Sequence, residues 1–202
     1  KENANVHICH VSAKESVKEI VISKKSGVNV SSEVTPHHLF FDETMITQSN
    51  RKFFQVNPPI RQTKENRLAL IEALKNGSID YLATDHAPHS REEKRQGVSG
   101  LTHLDTYGPF TSWLIKEHGF SVQDIVRVCS ANPAAFFNQF ANAKYGKIEQ
   151  DCVGSLTIMD MNKPITINKS MLKTKAGWSP FEGIRFPGSV IATIIKGKIY
   201  KN

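Results

Sequence analysis

Residues 6–34 alternate a short apolar run, an amphipathic stretch and a second apolar run, and this order constrains the fold more than any other feature. VHICHV (6–11) has the β-branched content of a strand. Ser12 follows, with Glu15 three residues on, the spacing of a capping box. Val17, Ile20 and Val21 then supply one apolar stripe, Gly27 is placed to end the helix, and 28–34 reads as a second strand. Two strands joined through a helix pair in parallel, because the crossover carries the chain back to its starting edge. Thr63 caps a further helix over 64–76, stopped by Gly77, and 79–84 is a third strand. The expected class is therefore α/β.

The remaining segments are less regular. Phe53 to Val56 form a short apolar stretch that runs into Asn57-Pro58-Pro59, which must leave any sheet. Residues 90–104 are polar and contain glycine, the composition of a mobile loop. Helices are expected near 105–118, 121–129 (Ser121 and Asp124 in capping-box spacing) and 133–140. Beyond about residue 145 the texture turns to short strands, 154–161 and 164–168, and to a hairpin over 190–200 with its turn at Lys196-Gly197.

Each of the three firm strands ends in a polar residue. His10 closes VHICH, Glu33 closes VNVSSE and Asp85 closes IDYLATD. Parallel strands gather their C-terminal ends on one face, where active sites are built, so a shared site is the expectation. Asp85 is the candidate for direct chemistry, since a carboxylate can both ligate a divalent metal and accept a proton from water. His10, as neutral imidazole, suits zinc. Cys9 is either a soft ligand or a small buried residue. Adjacent strand side chains point to opposite faces, so Cys9 and His10 share a site only if the strand ends there. His37 and His38 read as packing or supporting residues, because neighbours rarely aim at one metal. His86 is either a support for Asp85 or a hydrogen-bonded core residue. His89, beyond Pro88, reads as a loop residue that meets substrate or solvent. Asn57 is either a turn lead-in or a donor and acceptor for a polar, planar substrate. His103 and His118 read as surface residues.

The sequence carries 26 basic and 19 acidic residues, a net charge of +7, unevenly spread. Residues 1–142 hold 16 basic and 15 acidic groups, and 143–202 hold 10 and 4. The lysines of the basic part lie singly among strand-like residues without an arginine cluster, which favours a solvated face over nucleic-acid binding. Apolar runs such as 190–195 fall far short of the roughly 18–20 residues that span a bilayer. The first residues, KENAN, lack the apolar stretch of a signal peptide. Three scattered cysteines suit a reducing compartment, so a cytoplasmic location is expected.

The ordered blocks ICHVSAKESV, SEVTPHHLFFD, QVNPPIRQ, DYLATDHAPH, ANPAAFF, VGSLTIMD and SPFEGIRFPGSVIATIIKGKIY resemble the dihydroorotases of the amidohydrolase superfamily. The resemblance covers nearly the whole chain, and TPHHL, NPPIR and ATDHAPH in that order are its most specific part. It implies a (β/α)8 barrel with a small β-sandwich domain. It also implies zinc, one or two ions in the complete enzyme, and the reversible cyclisation of N-carbamoyl-L-aspartate to L-dihydroorotate in pyrimidine synthesis. By the same resemblance His10 is a metal ligand, Asp85 a metal ligand and the general acid–base, and Asn57 and His89 contact substrate. Cys9 and Glu33 match an extra metal position of some relatives. The sequence lacks the family's opening His-x-His pair and begins where the family reaches its sixth barrel strand. A whole barrel takes roughly 250 residues. Residues 1–145 are thus expected to be the C-terminal part of a barrel and 146–202 part of the β-sandwich, in a chain inactive without its N-terminal half. The loop GVSGLTHLDT departs from the commoner pattern, which leaves the substrate-facing wall open. The implied partners are a small-molecule substrate, the other barrel half, and further copies or another pyrimidine-pathway enzyme. The closing block is shared with allantoinases and dihydropyrimidinases. A related cyclic amidohydrolase acting on allantoin, hydantoins or dihydropyrimidines, and a non-catalytic scaffold subunit, are the alternatives.

Overall fold

In a computed structural model, which describes residues 4–60 and 63–201, the chain forms two compact units. Residues 1–104 and 172–180 make one, residues 105–171 and 181–202 the other.

The first unit is built on a parallel sheet in the order β1 (Val6–Ile8), β2 and β3. Helix α1 (Lys14–Lys25) links β1 to β2 (Val30–Val34), pairing Val6 with Val30. The capping box expected at Ser12 does not form. Val11 N–H is still bound to the Glu33 carbonyl at 2.8 Å, so Ser12 lies buried in the turn and Ala13 becomes the N-cap without a side-chain bond. Asn66 Oδ1 accepts from the Lys14 N–H at 3.1 Å and satisfies one first-turn donor instead. The far end follows expectation. Gly27, at φ +78°, donates to the Lys24 carbonyl, and Val28 donates to the Ser23 carbonyl, the two bonds of a Schellman ending.

After β2 come the short helix α2 (Pro36–Phe40), then α3 (Lys64–Lys75), capped by the Thr63 side chain accepting from Asn66 N–H. Strand β3 (Tyr81–Leu82) pairs with β2 through Glu33–Tyr81 and Val34–Leu82. Helices α1 and α3 pack together, and Ile20, Val34, Leu70, Leu74 and Leu82 form buried core. Phe53 sits in a 3-10 turn, Arg51–Phe54, rather than an extended stretch, and packs edge-on against Trp178 at 5.4 Å. The segment read as a polar loop contains α4 (Arg91–Arg95), opened by a full capping box of Ser90 and Glu93.

In the second unit, α5 (Tyr107–His118) ends at the left-handed Gly119. α6 (Val122–Val126) carries the expected Ser121–Asp124 capping box, and a π-helical turn, Arg127–Ala131, runs on into α7 (Asn132–Phe137). Then come β4 (Leu156–Asp160), β5 (Ile165–Thr166), β6 (Arg185–Phe186), β7 (Ser189–Ile195) and β8 (Lys198–Lys201). They form an antiparallel sheet β4-β7-β8 and a pair β5-β6. The β7–β8 turn has Lys196 at φ +49° and Gly197 at φ +83°, the positive pair that a two-residue hairpin turn requires. His118 is half-buried against Trp113, with ring centroids 4.3 Å apart, and is not a free surface residue as expected.

Candidate active site

The C-terminal ends of β1 and β3 share an uncommon backbone. His10 has φ +38° and Asp85 φ +46°, left-handed values that side chains other than glycine rarely adopt. Such conformations cost of order 1–3 kcal/mol each and persist where neighbouring bonds over-determine them. Here Val11 N–H is tied to the Glu33 carbonyl, and Ala83 N–H to the Val34 carbonyl at 2.9 Å. The left-handed turn at His10 ends the extended run that begins with β1.

Asp85 is coupled electrostatically to several neighbouring groups. The Asp85 carboxyl is pushed up by burial, pulled down by His10 and pushed up again by Glu33. The Cys9 thiol is raised by burial and by the charges of Glu33 and Asp85. Cys9, His10, Glu33 and Asp85 are therefore within electrostatic reach of one another.

One member was not anticipated. His7 Nε2 lies 3.1 Å from Glu33 Oε2, and its Nδ1 lies 2.8 Å from Ser31 Oγ. The carboxylate can only accept, so Nε2 carries the proton and Nδ1 accepts from the Ser31 hydroxyl when the ring is neutral. Ligand atoms of His7, Cys9 and Glu33 lie within 4.8 Å of one another. Imidazole, thiol and carboxylate are the donor types that zinc takes. The signal was present in VHICH, where positions 7 and 9 share one face of a strand.

Asn57 and His89 fall in a second group. Asn57 is exposed and its Nδ2 donates to Ser99 Oγ at 3.3 Å. His89 is held through its backbone, where Trp178 Nε1 donates to its carbonyl at 2.7 Å, and its Nδ1 stands 3.9 Å from Glu93 Oε1. Val56, Leu101 and Trp178 form the buried cluster behind this wall, with Phe53 against it. Lys94, fully buried, donates to the carbonyls of Gln55, Val98 and Gly100 at 2.7–2.9 Å and ties α4 to residue 55 and to the segment 98–100. Burial brings its ammonium down to about 8.

Behind the strand ends lies a buried imidazole cluster. His37 Nδ1 is 2.8 Å from His103 Nε2, so His103 is a core residue and not the surface residue expected. Thr35 Oγ1 bridges His37 Nε2 at 3.0 Å and His38 Nδ1 at 2.8 Å. His38 Nε2 is 3.0 Å from the Pro58 carbonyl. The backbone N–H of His103 donates to His86 Nδ1 at 3.0 Å, which leaves a neutral His86 with its proton on Nε2. Burial foremost, then His38, His103 and His10, lower His37 well below the usual imidazole range.

A parallel sheet whose strand ends carry carboxylate and imidazole groups is an arrangement suited to hydrolysis, and residues 2–200 match the amidohydrolase family. The chain belongs to that family. It is 38% identical over 197 residues to a dihydroorotase of Clostridium botulinum, covering 97% of this chain and 47% of that protein. It is 37% identical over 202 residues to a dihydroorotase of Fusobacterium nucleatum, covering 98% and 46%. The chain thus spans about half the length of these curated relatives. Among solved structures, an L-hydantoinase (dihydropyrimidinase) from Arthrobacter aurescens superposes with a TM-score of 0.83 at 25% identity, over 99% of this chain and 45% of its own. The dihydropyrimidinase of Brevibacillus agri NCHU1002 gives 0.89 at 24% identity, over 98% and 44%, and shares the fold.

Proposed function

We propose that this chain forms the C-terminal part of a dihydroorotase. In the complete enzyme it would catalyse the reversible closure of N-carbamoyl-L-aspartate to L-dihydroorotate. The supporting observation is that His10 and Asp85, both in left-handed conformations beyond the ends of strands of one parallel sheet, are within electrostatic reach of each other, in a chain 38% identical to a dihydroorotase. Residues 1–145 would belong to a (β/α)8 barrel, with β1, β2 and β3 as its last strands, and 146–202 to a small β-sandwich.

Zinc, one or two ions, would be held by His10 and Asp85 together with ligands outside this chain. Cys9 and Glu33, joined by His7, would form an additional position. When bound, the metal supplies Lewis acidity toward the ring carbonyl and acidifies water. In the hydrolytic direction Asp85 takes the proton of the attacking water and passes it to the leaving ring nitrogen. Asn57 and His89 orient the substrate, whose free carboxylate suits donors of this kind.

The complete enzyme would act on its small-molecule substrate as a homo-oligomer or beside another pyrimidine-pathway enzyme. Among the described residues no helix is long and apolar enough to cross a membrane, and the three cysteines are free, which suits a reducing cytoplasm. Turnover of dihydroorotate against hydantoin and allantoin by the complete enzyme tests the reading. A clear preference for dihydroorotate is expected. Preference for a neutral ring would instead support the hydantoinase reading that the solved structures favour.

A further inference from the structure

The buried imidazole cluster can be resolved proton by proton. A carbonyl oxygen accepts and never donates, so the proton between His38 and Pro58 sits on His38 Nε2. On a neutral His38, Nδ1 is then an acceptor, and the Thr35 hydroxyl must donate to it. Having given its only proton, Thr35 Oγ1 accepts from His37 Nε2–H. His37 Nδ1 is left as an acceptor, and His103 Nε2–H donates to it. Burial keeps His37 well below its usual range and His103 at about 3, so both rings carry one proton each. Every donor in the chain points the same way, and one backbone carbonyl sets the direction.

We propose that His103, His37, Thr35 and His38 are positioning residues, a one-way hydrogen-bond chain that fixes the Asn57-Pro58 turn relative to the strand end bearing Asp85 and His86. One terminus grips Pro58, next to Asn57. The other grips β3's extension, because the His103 backbone N–H holds His86, the neighbour of Asp85. Thr35 is the hinge of the chain, since its one hydroxyl oxygen accepts from His37 and donates to His38. The role assigned to these residues rests on the dihydroorotase reading; the proton order does not.

Neutron diffraction from deuterium-exchanged crystals of the complete enzyme reads the order directly. Deuterium is expected on Nε2 of His37, His38 and His103, with the Thr35 O–D aimed at His38. Deuterium on Nδ1 of any of the three, or an O–D aimed at His37, overturns the chain. In the same enzyme Thr35→Val removes the hydroxyl at constant shape, and Thr35→Ser keeps it. The valine variant is expected to lose about tenfold in kcat/KM for dihydroorotate, the effect of one buried hydrogen bond. The loss should lie mainly in KM, with zinc content unchanged and serine within about twofold of native. Valine and serine variants with the same kinetics would refute the positioning role. If the neutron order holds while the native enzyme ignores dihydroorotate, the substrate reading falls and the chain stands.

Discussion

Gly100 offers the sharpest test of the wall beside His89. Its φ is +135°, and a Cβ built there would stand 2.6 Å from the Ala87 carbonyl oxygen, 2.8 Å from Ala87 Cβ and 2.9 Å from His89 Cδ2. The backbone conformation alone costs an alanine about 1–3 kcal/mol. Overpacking of this severity adds about 1–3 kcal/mol. The loop has little room to relax, because Gly100 N–H is bound to the Gln55 carbonyl at 3.0 Å and its own carbonyl is held by Lys94. The partner most free to move is the His89 ring. Gly100→Ala is therefore expected to destabilise the enzyme by about 2–6 kcal/mol and to displace His89. A displacement near 1 Å at a substrate contact costs up to about 100-fold in turnover. Thermal unfolding and kcat/KM for dihydroorotate measure the two effects. Hydantoin, which has no carboxylate for His89 to hold, is expected to lose less. A Gly100→Ala enzyme with native stability and an unchanged dihydroorotate-to-hydantoin ratio would show that Gly100 does not shape this wall and that His89 does not read the substrate.

Further outcomes follow from the same geometry. On the proposed roles, Asp85→Asn removes the proton carrier and a ligand together, and kcat of the complete enzyme should fall by at least about 1000-fold, measured with metal content in parallel. Lys94→Met leaves three carbonyls without their shared donor and should cost about 2–4 kcal/mol in urea unfolding. The folded Lys94 holds its proton less tightly, at about 8, than an ordinary lysine at 10.5, so between those values the unfolded chain binds more protons. Native stability relative to Lys94→Met should thus rise as pH climbs from 8 toward 10.5, and a flat difference would contradict the burial argument. The 202-residue chain by itself should show no dihydroorotase turnover, since His10 and Asp85 supply two ligands where zinc takes about four; native-rate turnover would overturn that expectation.

Local chemistry made much of the fold legible. Gly27 and Gly77 end their helices, the Thr63 and Ser121 caps form, and Lys196-Gly197 turns the hairpin, all because a few neighbouring residues decide each outcome. Ser12 misled because a bond from Val11 to another strand delays the helix, which no local pattern records. The segment 90–104 looked like a loop because it is polar and contains glycine, yet Lys94 is buried on the carbonyls of Val98 and Gly100 and on that of the distant Gln55. His103 was hidden for the same reason. Of the site, His10 and Asp85 were visible as polar residues closing apolar runs, whereas Glu33, read as a strand end, lies inside β2, which continues to Val34. His7 was passed over because it sits inside a strand, where a polar residue signals only a face.

Trp178 gives the wall of His89 a schedule. It donates to the His89 carbonyl from 89 residues downstream, and its own carbonyl accepts from Thr102 across 76 residues. On a ribosome, β1, β2 and β3 can pair long before that tryptophan has been made. The residues around Asp85 can thus fold early, while those around His89 stay unfinished until translation has passed residue 178. Contacts so distant in sequence are slow to close. If His89 reads the substrate as proposed, discrimination is the last property such a nascent chain acquires.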